Sequence, residues 1–320
     1  MKITYEQKTI LWRLCLLVAL TAVAAGSSAA QISLRDALDF DGDDKADLIV
    51  ARASDNTWYT LRSDGAGTAT RSFGSVAGDI PAPGDYDGDG RGDFGVWRPS
   101  NGTFYYFLSA NGTFGAVQWG VTGDEPVARR WDADALTDFA VVRRAGNQLV
   151  WYVRSSASGE MSVQQFGLAS DLPIPGDYDG DGRFDAAVRR ASSGTAQATV
   201  YLNQSTAGFA VFAWGLGADF VVPGDYDGDL KTDFTAVRRD GANLVWYILG
   251  SQNNAVQIKQ FGLAADDFLV PNDYDADGKT DVAVWRKSDG IFYIEKSSGG
   301  LQFSRWGAAQ DYPVASYDTH

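Results

Sequence analysis

Asp-x-Asp-x-Asp-Gly-x-x-Asp is the pattern in this sequence most able to do chemistry, and it recurs along the chain. It packs three carboxylates on one side of a tight loop. Gly at the sixth position permits the sharp reversal, and a backbone carbonyl at the seventh with Asp at the ninth completes an oxygen cage. Hard oxygens, six to eight of them, are what calcium takes; magnesium prefers fewer protein ligands and retained water. Five sets are intact enough to hold an ion: Asp39, Asp41, Asp43 and Asp47; Asp85, Asp87, Asp89 and Asp93; Asp177, Asp179, Asp181 and Asp185; Asp225, Asp227, Asp229 and Asp233; Asp273, Asp275, Asp277 and Asp281. Lys45, Arg91, Arg183, Lys231 and Lys279 would each contribute the seventh-position carbonyl. Asp44 and Leu230 stand where Gly is usual, and Leu230 is expected to strain its turn. A sixth set is degenerate: Arg130 replaces the first Asp ahead of Asp132, Asp134 and Asp138, so a built-in cation and no metal is expected there.

These loops begin at positions 39, 85, 130, 177, 225 and 273, at intervals of 46, 45, 47, 48 and 48 residues. Each is followed by an apolar strand ending in Arg, a polar turn, an aromatic strand, a second turn, and a strand ending in an aromatic-Gly pair. Those pairs are Phe73-Gly74, Trp119-Gly120, Phe166-Gly167, Trp214-Gly215, Phe261-Gly262 and Trp306-Gly307. A repeat of this length with about four short strands is one β-propeller blade. We name its strands A to D, with A just before the acidic loop and B just after it. The reading is an all-β propeller of four-stranded blades. Six B–C–D sets are present, and Asp311 to Asp318 repeats the approach to strand A before the chain stops. That segment is expected to complete blade 1 and close a six-bladed ring, which removes two open sheet edges. The alternative is seven blades, with a partner or a degenerate segment filling the gap.

Composition agrees. Of 320 residues, 45% are hydrophobic and 13% aromatic, with 36 Gly, which suits strands joined by many turns. Residues 1–30 read as an export signal: Lys2, Lys8 and Arg13, then an apolar run from Leu14 to Ala25, then Ser28-Ala29-Ala30 before Gln31. Twelve helical residues span about 18 Å, short of a bilayer core, so cleavage is expected rather than anchoring. The propeller domain is then 31–320, and the chain is secreted, extracellular, periplasmic or associated with the cell surface. Removing Lys2, Lys8, Arg13 and Glu6 takes 27 basic and 41 acidic residues to 24 and 40, a net charge of −16. Five calcium ions would bring that to −6. So acidic a chain lacks the basic face that nucleic acid or anionic lipid requires. The sole Cys, Cys15, falls within the signal, and the sole His is His320. Disulfides, thiolate metal sites and Ser-His-Asp catalysis are thereby excluded or disfavoured. An exported chain without disulfides needs another staple, and the acidic loops are expected to be it.

The aromatic-Gly pairs, the approach Ile80-Pro81-Ala82-Pro83-Gly84 and its counterpart Leu172-Pro173-Ile174-Pro175-Gly176, and the acidic loops together resemble the FG-GAP/VCBS repeat family, whose best-known members are the N-terminal propellers of integrin α subunits. The resemblance covers about Asp36 to Asp318. It implies a propeller with calcium in the A–B hairpins of one face and ligands on other surfaces, especially the opposite face. Arg130 and the truncated Ser316 to His320 depart from the pattern.

Two other recurrences have competing readings. Arg52, Arg98, Arg143, Arg190, Arg238 and Arg286 each follow the loop's last Asp by five residues. They could line an anion site in the channel; pairing with loop carboxylates or stacking on rings is the plainer reading. The strand aromatics could be sugar platforms, but their fixed place in the repeat points to packing between blades. The B–C and D–A turns are expected on the face opposite the acidic loops. The whole reads as a non-catalytic binding, adhesion or scaffold module, monomeric, whose partner is an extracellular protein or a glycan. Alternatives are a propeller lectin and, third, a polysaccharide-active enzyme, although no carboxylate pair stands apart from the repeat.

Overall fold

In each repeat, strand B is apolar on both faces because it lies inside the sheet and between two neighbouring sheets. Strand C alternates buried and half-buried residues. Strand D alternates towards solvent, because it is the outer edge. The computed structural model describes residues 37–74 and 78–315; the expected export signal and the last acidic turn, Ser316 to His320, lie outside the described residues.

Among the described residues there are six antiparallel four-stranded sheets. Blade 1 holds β1 (Leu48–Arg52), β2 (Thr57–Leu61) and β3 (Thr68–Ser72). Blade 2 is β4 (Ile80–Pro81), β5 (Phe94–Arg98), β6 (Thr103–Phe107) and β7 (Phe114–Gln118). Blade 3 is β8 (Glu125–Pro126), β9 (Phe139–Ala145), β10 (Gln148–Arg154) and β11 (Met161–Leu168). Blade 4 is β12 (Leu172–Pro173), β13 (Ala186–Arg190), β14 (Gln197–Gln204) and β15 (Gly208–Leu216). Blade 5 is β16 (Phe220–Val221), β17 (Phe234–Asp240), β18 (Asn243–Leu249) and β19 (Val256–Leu263). Blade 6 is β20 (Asp267–Leu269), β21 (Val282–Arg286), β22 (Ile291–Glu295) and β23 (Leu301–Arg305). The last strand, β24 (Tyr312–Pro313), pairs with β1, Val50 opposite Pro313 and Ala51 opposite Tyr312. The ring has six blades and is closed by its C-terminal strand, as the spacing predicts. Strand A is short, two or three residues, followed in blades 2 to 6 by one bridge such as Gly84 to Asp93.

The core is a set of buried rings between blades. Trp97, Trp151, Trp246 and Trp285 are fully buried. Each indole N–H donates to the carbonyl of the aromatic that ends strand D of its own blade: Trp119, Phe166, Phe261 and Trp306, at 2.8–3.3 Å. Trp119 and Trp306 donate onward to strand C of the next blade, at Tyr152 and Tyr59. The packing reading of the aromatics therefore holds for these rings. The aromatic-Gly pair has a steric cause. Gly167 sits at φ +100°, and a Cβ there would come within 2.9 Å of Val188 in the next blade.

Candidate metal centres

The acidic loop is organised by its first Asp. In each of the five intact loops the N–H groups at positions 4 and 6 donate to that carboxylate: Gly42 and Asp44 to Asp39, Gly88 and Gly90 to Asp85, Gly180 and Gly182 to Asp177, Gly228 and Leu230 to Asp225, Ala276 and Gly278 to Asp273, at 2.6–3.0 Å. Turning both N–H groups inward requires positive φ at both positions, and that includes Asp44, Leu230 and Ala276 at +67°, +70° and +62°. A left-handed L-residue costs about 1–2 kcal/mol. Leu230 is 46% exposed, so its side chain recovers little of this by packing. Leu230→Gly is expected to raise stability by about 0.5–1 kcal/mol, the gain being reduced by the freer unfolded chain; a shift in the denaturant midpoint measures it.

The ninth-position Asp ties the loop to its blade. One oxygen accepts the N–H of position 2, as in Tyr86 to Asp93, and the other accepts from a Ser in the C–D turn. That Ser occurs in all six blades: Ser63, Ser109, Ser156, Ser205, Ser251 and Ser297. In the five intact blades its hydroxyl also donates to the fifth-position Asp: Asp43, Asp89, Asp181, Asp229 or Asp277. This Ser escaped the sequence reading, although its recurrence in the C–D turn marks it. Burial, with added repulsion from loop carboxylates, pushes Asp47, Asp93, Asp185 and Asp233 up to about 7 against the opposing pull of their N–H donors. Burial likewise pushes Asp177, Asp225 and Asp281 up to about 6.

The third-position Asp presents one hydrogen-bonded oxygen and one buried oxygen without a donor. Its outer oxygen is held in several blades by the C–D turn: Asp41 by the N–H of Asp64, Asp179 by those of Thr206 and Ala207, Asp227 by that of Gln252, and Asp275 by the Ser298 hydroxyl. The other oxygen is buried and has no hydrogen-bond partner: Oδ1 of Asp41, Asp179, Asp227 and Asp275, and Oδ2 of Asp87. A buried carboxylate oxygen left without a donor is costly unless a cation meets it. These five orphaned oxygens fall one to each intact loop. Neighbouring carboxylates converge on them, among them Asp39, Asp41 and Asp43; Asp85, Asp87 and Asp93; Asp177, Asp179 and Asp185; and Asp225, Asp227 and Asp229. The seventh-position residues place their N–H groups on the fifth Asp, as Lys45 does on Asp43, Arg91 on Asp89, Arg183 on Asp181, Lys231 on Asp229 and Lys279 on Asp277. The side chains of Arg91, Lys231 and Lys279 lie over Gly42, Gly180 and Gly228 of the preceding loop. The residues fit a divalent oxygen-seeking ion.

The third loop differs in the same terms. Arg130 removes the carboxylate that draws in the two N–H groups, and neither Ala133 nor Ala135 takes positive φ. Asp132 has no orphaned oxygen, and Ser156 turns its hydroxyl to Asp138. The carboxylates of Asp132, Asp134 and Asp138 still approach one another.

The loops also form a belt. The N–H at position 8 of each loop donates to the carbonyl at position 1 of the loop before it: Gly92 to Asp39, Thr137 to Asp85, Phe184 to Arg130, Thr232 to Asp177, Thr280 to Asp225, and, across the closure, Ala46 to Asp273, all at 2.6–2.8 Å. These bonds hold the loops of adjacent blades together on one face.

At the other end of strand B, the recurring Arg does not pair with loop carboxylates. The two lie at opposite ends of the strand. Each guanidinium instead binds an Asp of the D–A turn in two-pronged fashion: Arg52 to Asp311, Arg98 to Asp79, Arg143 to Asp124, Arg190 to Asp171, Arg238 to Asp219 and Arg286 to Asp267. Each also stacks on the strand C Tyr of its blade, at 4.1–4.6 Å from the ring centroid. The stacking half of the expectation holds, and no guanidinium of this set is left to line a channel. A constant 19-residue spacing between Asp and Arg in five blades was the legible signal. The B–C and D–A turns thus share the face opposite the acidic loops.

A family described as FG-GAP-like repeat matches residues 39–96, from the first acidic loop into strand B of blade 2. No curated protein matches the sequence. Among solved structures, TolB from Acinetobacter baumannii is similar at 13% identity and a TM-score of 0.50, over 84% of this chain and 63% of that one. A putative 6-phosphogluconolactonase from Bacteroides fragilis is similar at 11% identity and a TM-score of 0.45, over 86% of this chain and 97% of that one. At such identities the likeness to TolB speaks for the propeller fold alone. No helix of the described residues is long and apolar enough to cross a membrane.

Proposed function

The chain is a six-bladed β-propeller that carries an FG-GAP-like repeat over residues 39–96, and from that premise we propose that it is an exported, calcium-stabilised module that binds or scaffolds rather than catalyses. The observation that carries the calcium reading is the set of five buried, donorless oxygens, one in each intact loop. Asp39, Asp41, Asp43 and Asp47, and their counterparts in the other four loops, would hold the ions together with the carbonyls of Lys45, Arg91, Arg183, Lys231 and Lys279. Calcium supplies fixed positive charge there; it neutralises the loops and braces the belt. Export fits this, because extracellular modules bind calcium at the high concentrations found outside cells. Binding would fall to the turn face, where metal and belt place no demands.

Titration of metal-depleted protein is expected to count five calcium ions. Essentially no uptake at millimolar calcium would overturn the reading. The third loop supplies a sharper check. Arg130→Asp combined with Ala133→Gly and Ala135→Gly restores both the carboxylate and the left-handed positions, and is expected to raise the count from five to six. A count that stays at five would show that something other than these three residues disables the loop.

A further inference from the structure

We propose that the cleft between blades 5 and 6 on the turn face binds a carboxylate-bearing sugar, a hexuronate unit; this deepens the binding-module reading and rests on it. The six blades serve as one another's controls. The residue after the conserved Arg is Ala53, Pro99, Arg144, Ala191, Arg239 or Lys287, so three blades add a second cation there. In blade 3 that cation is used up internally. Arg144 donates to Glu125 at 2.8 Å and to the carbonyls of Ala169 and Asp171.

Blade 5 has Phe220 at the position of Glu125. The Arg239 guanidinium lies 4.6 Å over the Phe220 ring, and its polar contact is one Nε hydrogen bond, 3.3 Å, to the Ala264 carbonyl. Lys287 of blade 6 lines the same cleft, and its backbone N–H donates to the Asp266 carbonyl at 3.2 Å. No carboxylate lies within ion-pair distance of either cationic group among the described residues. The cleft encloses about 390 Å³ and has an apolar floor of Leu244 and Phe268. Pockets of 300 Å³ and upward hold small ligands.

The mixture of groups selects the ligand. Arg239 and Lys287 suit a planar carboxylate, the guanidinium in particular through paired N–H donors. Asp266 also lines the cleft; its negative charge opposes a dianion such as phosphate, whereas a carboxylate can accept hydrogen bonds from the hydroxyl groups of a sugar. Phe268 offers ring surface to the C–H face of a pyranose, while Phe220 carries the Arg239 guanidinium over its own ring. One negative charge, several hydroxyls and an apolar face describe a hexuronate. The remaining polar group of Asp267 is committed to Arg286.

The test titrates calcium-loaded full-length protein with galacturonate, glucuronate and mannuronate oligosaccharides, each beside its methyl ester, which keeps the shape and removes the charge. At least one acid is expected to bind at least ten-fold more tightly than its ester. Arg239→Gln and Lys287→Gln are each expected to weaken it ten-fold, with melting temperature unchanged because both side chains are exposed. Arg144→Gln is expected to leave binding intact. No preference for any acid over its ester, or binding indifferent to Arg239→Gln, would overturn the cleft assignment; the second result would place the sugar on loop-bound calcium. Capture of a neutral glycan or a protein with a blank uronate panel removes the cleft and leaves the module. Cleavage of the oligosaccharides overturns the module itself.

Discussion

Calcium removal is expected to lower the melting temperature by roughly 15 °C or more. A site filled at ten to a hundred times its dissociation constant contributes about 1.4–2.7 kcal/mol, so five contribute about 7–14 kcal/mol, comparable with the whole stability of an ordinary domain. The pH dependence should distinguish this from a general salt effect. In the metal-free chain the ninth-position carboxyls Asp47, Asp93, Asp185 and Asp233 bind protons up to about pH 7, well above their ordinary value of 3.8. The folded state then holds more protons than the unfolded state between those two limits. Such a group stabilises fully below pH 3.8 and loses that contribution as pH rises through 7. Metal-depleted protein should therefore weaken from pH 5 to pH 8. Protons compete with calcium for the same oxygens, so the gain from calcium should be greater at pH 8 than at pH 5. Scanning calorimetry of depleted and reloaded protein at both pH values measures it. Equal melting temperatures with and without calcium would refute the stapling role.

Ending the chain at Gln310 is expected to cost about 5 kcal/mol and to make the protein self-associate. The deletion removes Val314, which is 2% exposed and whose burial is worth about 1.5–3 kcal/mol. It removes the N–H donation from Val314 to Ile49 and the β24 pairing with β1. It also takes Asp311 from Arg52, whose paired hydrogen bonds are 2.6 and 2.9 Å. Strand β1 then becomes an open edge, which invites pairing with another chain. The ring should not come apart, because Ala46 still donates to Asp273 and Trp306 to Tyr59 across the same junction. The truncated protein should thus unfold at lower urea yet keep its β-sheet spectrum, and elute partly as dimers. A synthetic peptide of residues 309–320 should reverse both effects. An unchanged urea midpoint would mean that closure contributes little.

Much of this protein is local, and local features are readable in order along the chain. The 45–48-residue spacing, the alternation from buried strand B to outward strand D, and the acidic loops each depend on a few consecutive residues, so blade number, strand order and candidate metal ligands could be named in advance. The strain at Leu230 was equally legible, because φ is a property of one residue and its neighbours. Arg130 announced that the third loop departs from the others; only the structure shows that Ala133 and Ala135 do not take the left-handed conformation found at those positions in the other five loops.

What joins distant residues could be settled only by folding. The partner of each conserved Arg is an Asp of the D–A turn, not a loop carboxylate, because strand B carries the two groups to opposite faces. The donorless oxygens emerge only when a C–D turn some 20–30 residues away satisfies one side of the third Asp and leaves the other buried. The belt of position 8 on position 1, and the Arg239 side chain set over Phe220 where blade 3 has a carboxylate, arise between or across repeats. Sequence determines what each blade is made of; the curvature that brings six of them into one ring decides which groups meet.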